Sequence, residues 1–359
     1  MIVPLDWGLG HATRCIPIIQ EFLANNCNVI VAAETAAKSL LQHEFQQLTF
    51  IPIRGYRIHY SKKKALLPFA IMLQMPQILF AIFNEHQWLK KVVKKNKISA
   101  IISDNRFGLY HKTVPSVYIT HQLLIKSSSR FLERLAQKIH FWFIKKYTYC
   151  WVPDFEGKPN IAGLLSHPSK YSAPVKYIGC LSRFEIKEAG EKKYDLVIII
   201  SGPEPQRSIF ETLLLTQLRF YKGKVLFIRG LPGVNKKTTR PSPGATGFAN
   251  LLIEEHLSAP ELNEAIQQAK LVISRSGYTT IMDLVKLRQK AILVPTPGQT
   301  EQEYLAMHLM KEKFFYTSSQ EGFSLTEAIK QAATFPYAMP VFDMEQYKKT
   351  VGRFVQSLE

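Results

Sequence analysis

Apolar runs without alternation recur along this chain. Each is closed by a polar or glycine-bearing turn. In the first half they are Ile2–Leu5, Val29–Ala33, Leu48–Ile53, Ile98–Ser103 and Val114–Thr120, with Tyr147–Val152 and Val175–Ile178 as the last. In the second half they are Leu196–Ile200, Lys224–Ile228, Leu251–Ile253, Leu271–Ile273 and Ala291–Val294. Short runs with no polar face predict strands buried on both sides of a parallel sheet. Helical spacing lies between them. Ala12–Asn25 puts Cys15, Ile16, Ile19, Phe22 and Leu23 on one face, and Phe131–Lys146, Ile209–Phe220, Glu261–Ala269 and Gln346–Leu358 read the same way. Thr279 or Thr280 is expected to cap a further helix carrying Ile281, Leu284, Val285 and Leu287, and Gly298–Glu303 is expected to be a polar loop. The alternation predicts an α/β chain of two Rossmann-like, doubly wound parallel-sheet domains. The expected bounds are residues 1–182, a charged linker over 183–194, a second domain over 195–338 and a C-terminal helix within 339–359. The first strand looks clipped, so the natural start is expected to lie upstream or to be misassigned.

One apolar stretch, Ala65–Phe83, has the length of a membrane span, but Pro68, Gln74, Pro76 and Gln77 interrupt it. A core helix is the leading reading. The alternatives are an amphipathic helix lying on a membrane, with Lys62–Lys64 on one side and Lys90, Lys91, Lys94 and Lys95 on the other, and, least favoured, a true span. A basic helix is expected to follow through Lys97. The net charge of +18 favours phosphate-bearing partners, an anionic membrane or nucleic acid. Nucleic acid is not expected: aromatic and basic residues are not interleaved as a stacking platform requires, and no recognition-helix or RNP pattern is present. Cys15, Cys27, Cys150 and Cys180 are scattered, without metal-ligand spacing. Cys15 and Cys150 sit in apolar runs and read as buried thiols in a reducing cytoplasm. The chain enters a glycine turn by Gly8, and no signal peptide is read.

Three first-half strands end in polar residues, with His11, Asp104 and His121 at or beyond their ends. In a parallel sheet these ends share one edge, where open α/β sheets bind ligands. In the second half, Ser276 and Gly277 make a small-residue turn ahead of a helix, which is a ready anion site.

The segments GHATR, SGPEPQR, ISRSGYTTIMDL and PGQTEQEYLA resemble GT-B glycosyltransferases of the family 28 type. That group includes the N-acetylglucosaminyltransferases that complete the lipid-linked peptidoglycan precursor. The resemblance spans the two-domain plan and is more specific in the second half. It implies a nucleotide-sugar donor held by the C-terminal domain, an acceptor held by the N-terminal domain, and reaction in the cleft between them. No cofactor and no bound metal are expected; helix N-termini and basic side chains would carry the charge on the leaving diphosphate. By the same resemblance, Ser276 and Gly277 would face the diphosphate and Asp283 the ribose hydroxyls. Asp283 lies four residues after Thr279, on one helical face. Glu301 and Gln302 would grip the sugar; relatives often carry two amides there, so the acid leaves the sugar open. Ser201, Gly202 and Arg207 match the loop that opens the second half, with Arg207 a candidate phosphate contact and Arg275 a weaker one. Gly8, Gly10, Thr279 and Thr280 are assigned to donor binding. His11 is the candidate base, with His121 and Asp104 as alternatives.

These readings point to a metal-independent glycosyltransferase moving a sugar, with UDP-sugar the expected donor, onto a hydroxyl acceptor. The basic charge and the apolar stretch favour a lipid-linked acceptor at the inner face of a bacterial plasma membrane, in envelope or surface glycan synthesis. The rivals are a nucleotide-sugar epimerase or hydrolase of the same fold, a basic nucleic-acid-binding module and an inactive scaffold.

Overall fold

The protein is described here as a computed structural model covering residues 1–6, 8–56, 67–125, 130–169, 173–187, 190–231 and 250–358. Lys62–Lys64 and the Pro232–Gly247 loop lie outside the described residues. The chain divides into two compact units, Met1–Ser182 with Phe342–Glu359, and Arg183–Val341.

The first unit contains β1 (Ile2–Pro4), α1 (Leu9–Ala24), β2 (Ile30–Ala32), α2 (Thr35–Glu44), β3 (Thr49–Ile51), α3 (Leu67–Asn96), β4 (Ile101–Asp104), β5 (Ser116–Ile119), α4 (Arg130–Ile144), β6 (Tyr149–Val152) and β7 (Val175–Tyr177). Its strands form one parallel sheet in the order β3-β2-β1-β4-β5-β6-β7. The central strands are buried throughout, as their unbroken apolar composition requires. The stretch read as an apolar helix followed by a basic one is a single helix, α3, with Pro76 inside it. Ile82, Glu85 and Leu89 face the interior while Leu79, Phe80 and Phe83 are exposed. Among the described residues no helix is long and apolar enough to cross a membrane.

The second unit contains β8 (Tyr194–Ile199), α5 (Gln206–Leu218), β9 (Val225–Ile228), β10 (Leu251–Glu254), α6 (Ala259–Gln267), β11 (Ala269–Ser274), α7 (Tyr278–Lys286), β12 (Ala291–Leu293), α8 (Thr300–Lys311), β13 (Tyr316–Thr317) and α9 (Leu325–Thr334). These strands also form a parallel sheet, ordered β10-β9-β8-β11-β12-β13. A capping box of Ser258 and Glu261, with Pro260 in the first turn, fixes the start of α6. The last helix, α10 (Gln346–Gln356), belongs to the first unit, where Phe354 meets Phe22 and Trp151 edge-on at 6.2 and 5.4 Å. Cys15 and Cys150 are buried, and burial pushes the Cys150 thiol up to about 12.

Candidate active site

In the first unit the sheet order reverses direction between β1 and β4, and side chains converge at that switch point. Gly8 caps α1 with a φ of 73°, a conformation that favours glycine. His11 lies in the first turn of α1 and Arg14 one turn later, on the same face. Asp104 ends β4, paired in the sheet with Pro4 of β1. His121 follows β5, the next strand. His11 Nδ1 is 3.0 Å from Asp104 Oδ2. Arg14 Nε donates to both Asp104 oxygens at 2.9 Å, and a second guanidinium nitrogen also donates to this carboxylate. The same guanidinium lies 2.9 Å from His11 Nδ1 and 3.1 Å from His121 Nδ1. The three residues singled out in the sequence thus belong to one cluster with Arg14 at its centre. Sequence reading passed over Arg14. Its signal was a cation on the otherwise apolar face of α1, three residues after His11.

Burial pushes the His11 imidazole below its ordinary value; Arg14 acts in the same direction and Asp104 against it. Burial by itself would raise the Asp104 carboxyl, yet Arg14 and His11 hold it below the usual carboxylate range. The Asp104 side chain is 0% exposed and that of His11 17%, so of this pair only His11 can touch a substrate.

A second buried ion pair sets the backbone just after Asp104. Arg106 donates from Nε to Glu85 of α3 at 2.5 Å and from Nη2 to the Arg54 carbonyl at 2.6 Å. Glu85 also accepts from the Tyr56 hydroxyl at 2.7 Å and the Gly108 N–H at 2.8 Å. The pair is buried and fully hydrogen-bonded, which a buried ion pair needs in order to offset its desolvation.

In the second unit the switch point lies between β8 and β11. Ser201 and Gly202 follow β8, and Arg275, Ser276 and Gly277 follow β11. Gly202 has a φ of 109°, which favours glycine. Gly277 differs: its φ is −70° and a Cβ there would meet nothing within 4 Å. Neither backbone strain nor packing requires glycine at that position; it leaves open space at the N-terminus of α7. First-turn N–H groups of a helix have no i−4 carbonyl, so this end suits an anion.

Two expectations are corrected. Gly277, not Thr279 or Thr280, is the cap of α7, and both threonines lie in its first turn. The polar loop ends earlier than Glu303, because α8 begins at Thr300. Glu301 and Glu303 sit in that helix's first turn, where carboxylates favour the positive end, and Glu303 accepts from the Gly298 N–H at 2.7 Å.

Asp283 is buried on α7, not a solvated helix charge. The Gln302 amide is turned onto its own loop. It accepts from the Thr296 N–H at 2.9 Å and donates to Gln299 at 2.5 Å, while the Gln302 backbone carbonyl accepts from the Ser276 hydroxyl at 2.9 Å. Arg207 is engaged by Glu204 and Glu211 at 2.7 and 2.6 Å. Arg275 is buried over the Phe210 ring and ties loops together, donating to the carbonyls of Gln206, Val294 and Pro295 and to the Gln320 side chain. Burial lowers it to about 10, which leaves it cationic at neutral pH. Arg207 therefore spends its donors on protein acceptors, and Arg275 does so through its two terminal nitrogens, while its buried Nε has no hydrogen-bond partner. Among the described residues no group of three or more His, Cys, Asp or Glu side chains is placed to hold a metal ion.

Residues 250–348 match the glycosyltransferase family 28 C-terminal domain. The whole chain is similar in fold to several solved structures. MurG of Acinetobacter baumannii is 14% identical with a TM-score of 0.55, over 99% of this chain and 98% of that one. Spinosyn rhamnosyltransferase SpnG complexed with thymidine diphosphate is 13% identical with a TM-score of 0.61, over 99% and 95%. Phytolacca americana UGT2 complexed with UDP-2fluoro-glucose and pterostilbene is 14% identical with a TM-score of 0.59, over 99% and 92%. A search of curated protein sequences gives no match.

Proposed function

We propose that this chain, which matches the glycosyltransferase family 28 C-terminal domain over residues 250–348 and shares the fold of solved glycosyltransferases, works as an enzyme of that type. It moves a sugar from a nucleoside diphosphate donor, UDP-sugar in the first instance, to a hydroxyl acceptor. The observation that carries the reading is the family 28 match across α7 and α8, because there Gly277 opens the N-terminus of α7 and Asp283 lies buried on the same helix. The diphosphate would lie on the N-terminus of α7, beside Ser201, Gly202 and Ser276, with Asp283 on the ribose hydroxyls and Glu301 toward the sugar. Similarity to structures that hold UDP-2fluoro-glucose and thymidine diphosphate supports a nucleotide donor. The leaving diphosphate is stabilised by helix N–H groups in place of a bound metal.

His11 serves as the base. With Nδ1–H donated to Asp104, its Nε2 lone pair takes the proton of the acceptor hydroxyl. The freed oxygen attacks the anomeric carbon, and the bond to the diphosphate breaks with inversion. Asp104 is enclosed and paired, so it orients His11 and does not meet the acceptor.

Titration calorimetry with UDP, TDP and GDP tests the donor site. Asp283→Ala is expected to weaken UDP binding by about 1–3 kcal/mol, the cost of losing buried hydrogen bonds. Unchanged affinity removes Asp283 from the ribose. Consumption of UDP-sugar at an equal rate with and without acceptor would turn the reading toward a hydrolase or epimerase.

The acceptor is proposed to be lipid-linked and met at the inner face of a bacterial plasma membrane. Phe80 and Phe83 are 66% and 57% exposed on α3, with Lys90, Lys91, Lys94 and Lys95 exposed further along the helix. Apolar side chains beside exposed lysines suit an anionic bilayer surface. In flotation at low salt, wild-type protein is expected to rise with anionic vesicles and a Phe80→Ser, Phe83→Ser variant to stay at the bottom. Equal flotation of the two would show that this face is not the contact.

A further inference from the structure

We propose that Arg14 is the positioning residue of the first unit's site, giving its two histidines opposite hydrogen-bonding roles. A guanidinium has five N–H donors and no acceptor. Any imidazole nitrogen bonded to it must present a lone pair. His121 Nδ1 lies 3.1 Å from Arg14 Nη1, so neutral His121 carries its hydrogen on Nε2. Its lone pair is committed to Arg14, and the ring acts as a donor, not as the base.

His11 is held differently. Its Nδ1 meets an acceptor, Asp104 Oδ2 at 3.0 Å, and a donor, Arg14 Nη2 at 2.9 Å. One nitrogen cannot satisfy both. Arg14 donates repeatedly to Asp104, and that carboxylate in turn draws the Nδ1–H tautomer of His11, which leaves Nε2 basic. The groups facing His11 from packed elements are Arg14 on its own helix and Asp104 on β4, with His121 beyond β5 also acting on it. Arg14 and Asp104 together are neutral, so Arg14 keeps Asp104 from drawing a second proton onto His11. Arg14 is 3% exposed and acts through these neighbours.

The pH readout rests on the transferase reading; the spectroscopic one does not. Long-range proton–nitrogen spectra of the imidazoles at pH 7.5 should show His11 as the Nδ1–H tautomer and His121 as the Nε2–H tautomer in wild-type protein. In Arg14→Lys and Arg14→Met the His121 signature should become mixed. In Arg14→Met, losing the cation raises the His11 pKa, so the acidic limb of kcat/KM moves to higher pH. A shift of one unit lowers the rate about tenfold on the acid side and little above pH 8. UDP affinity should stay unchanged. Arg14→Met leaves Asp104 buried with a lost partner, so the double variant Arg14→Met, Asp104→Asn restores neutrality and provides a folded control. His121 found as Nδ1–H in wild-type protein, tautomers unmoved in Arg14→Lys, or an acid limb unmoved in Arg14→Met overturns the proposal.

Discussion

His11→Ala is expected to lower kcat by about 10²–10⁴-fold, the range for removing a positioned general base, while UDP affinity stays at the wild-type level. Burial and Arg14 both lower the His11 pKa. The neutral, competent form therefore persists below the ordinary histidine value near 6.5, and activity falls only as the pH drops through that lowered pKa. His121→Ala should cost turnover and move this limb less than Arg14→Met does, upward, since His121 is the smallest of the influences that lower the His11 pKa. Steady-state rates over pH 5–9 with a fixed acceptor check both. A His11→Ala enzyme with wild-type turnover removes His11 as the base.

The second large effect is on stability. Arg106→Met leaves Glu85 buried opposite an apolar side chain, and breaking one partner of a buried pair costs about 3–5 kcal/mol. Glu85 retains Tyr56 and the Gly108 N–H, so the first unit should still fold, with a lower midpoint. Arg106→Lys should recover only part of the loss, because an ammonium cannot span Glu85 and the Arg54 carbonyl as the planar fork does. Amide exchange resolved by unit checks this. A first unit as protected in Arg106→Met as in wild-type protein contradicts it. Activity should fall with stability, since Arg106 lies two residues after Asp104 and its side chain ties that segment to Glu85 and Arg54.

Much of the fold was legible because buried parallel strands leave a strong mark: they have no polar face, as in Leu196–Ile200 and Ala291–Val294. Elements with weaker marks were passed over. The helix α2 buries only Ala37 and Leu41, and β13 is a two-residue edge strand. The single helix α3 was divided in two because Pro76 and the change from apolar to basic residues look like a boundary. Packing of Ile82, Glu85 and Leu89 overrides that signal. Caps were misplaced because a glycine and two nearby threonines are equally good candidates on paper, whereas the backbone at Gly277 selects one.

The candidate sites divide in the same way. Parallel strands end at one sheet edge, so His11, Asp104 and His121 could be grouped before any coordinates, and the turn before α7 could be marked as an anion site by residue type. Strand order could not be read, because a run such as Ile101–Asp104 is equally apolar whichever neighbour it takes. Only the tertiary structure placed β4 beside β1 and β11 beside β8, putting both groups at switch points. It alone showed which charges are already engaged. Arg207 is held by Glu204 and Glu211, Arg275 ties several loops together and the Gln302 amide is turned onto its own loop, while Arg14 binds a carboxylate from a strand 90 residues away. A hydrogen bond depends on angstroms and on which nitrogen holds the proton, and neither is written in the spacing of residues along a chain.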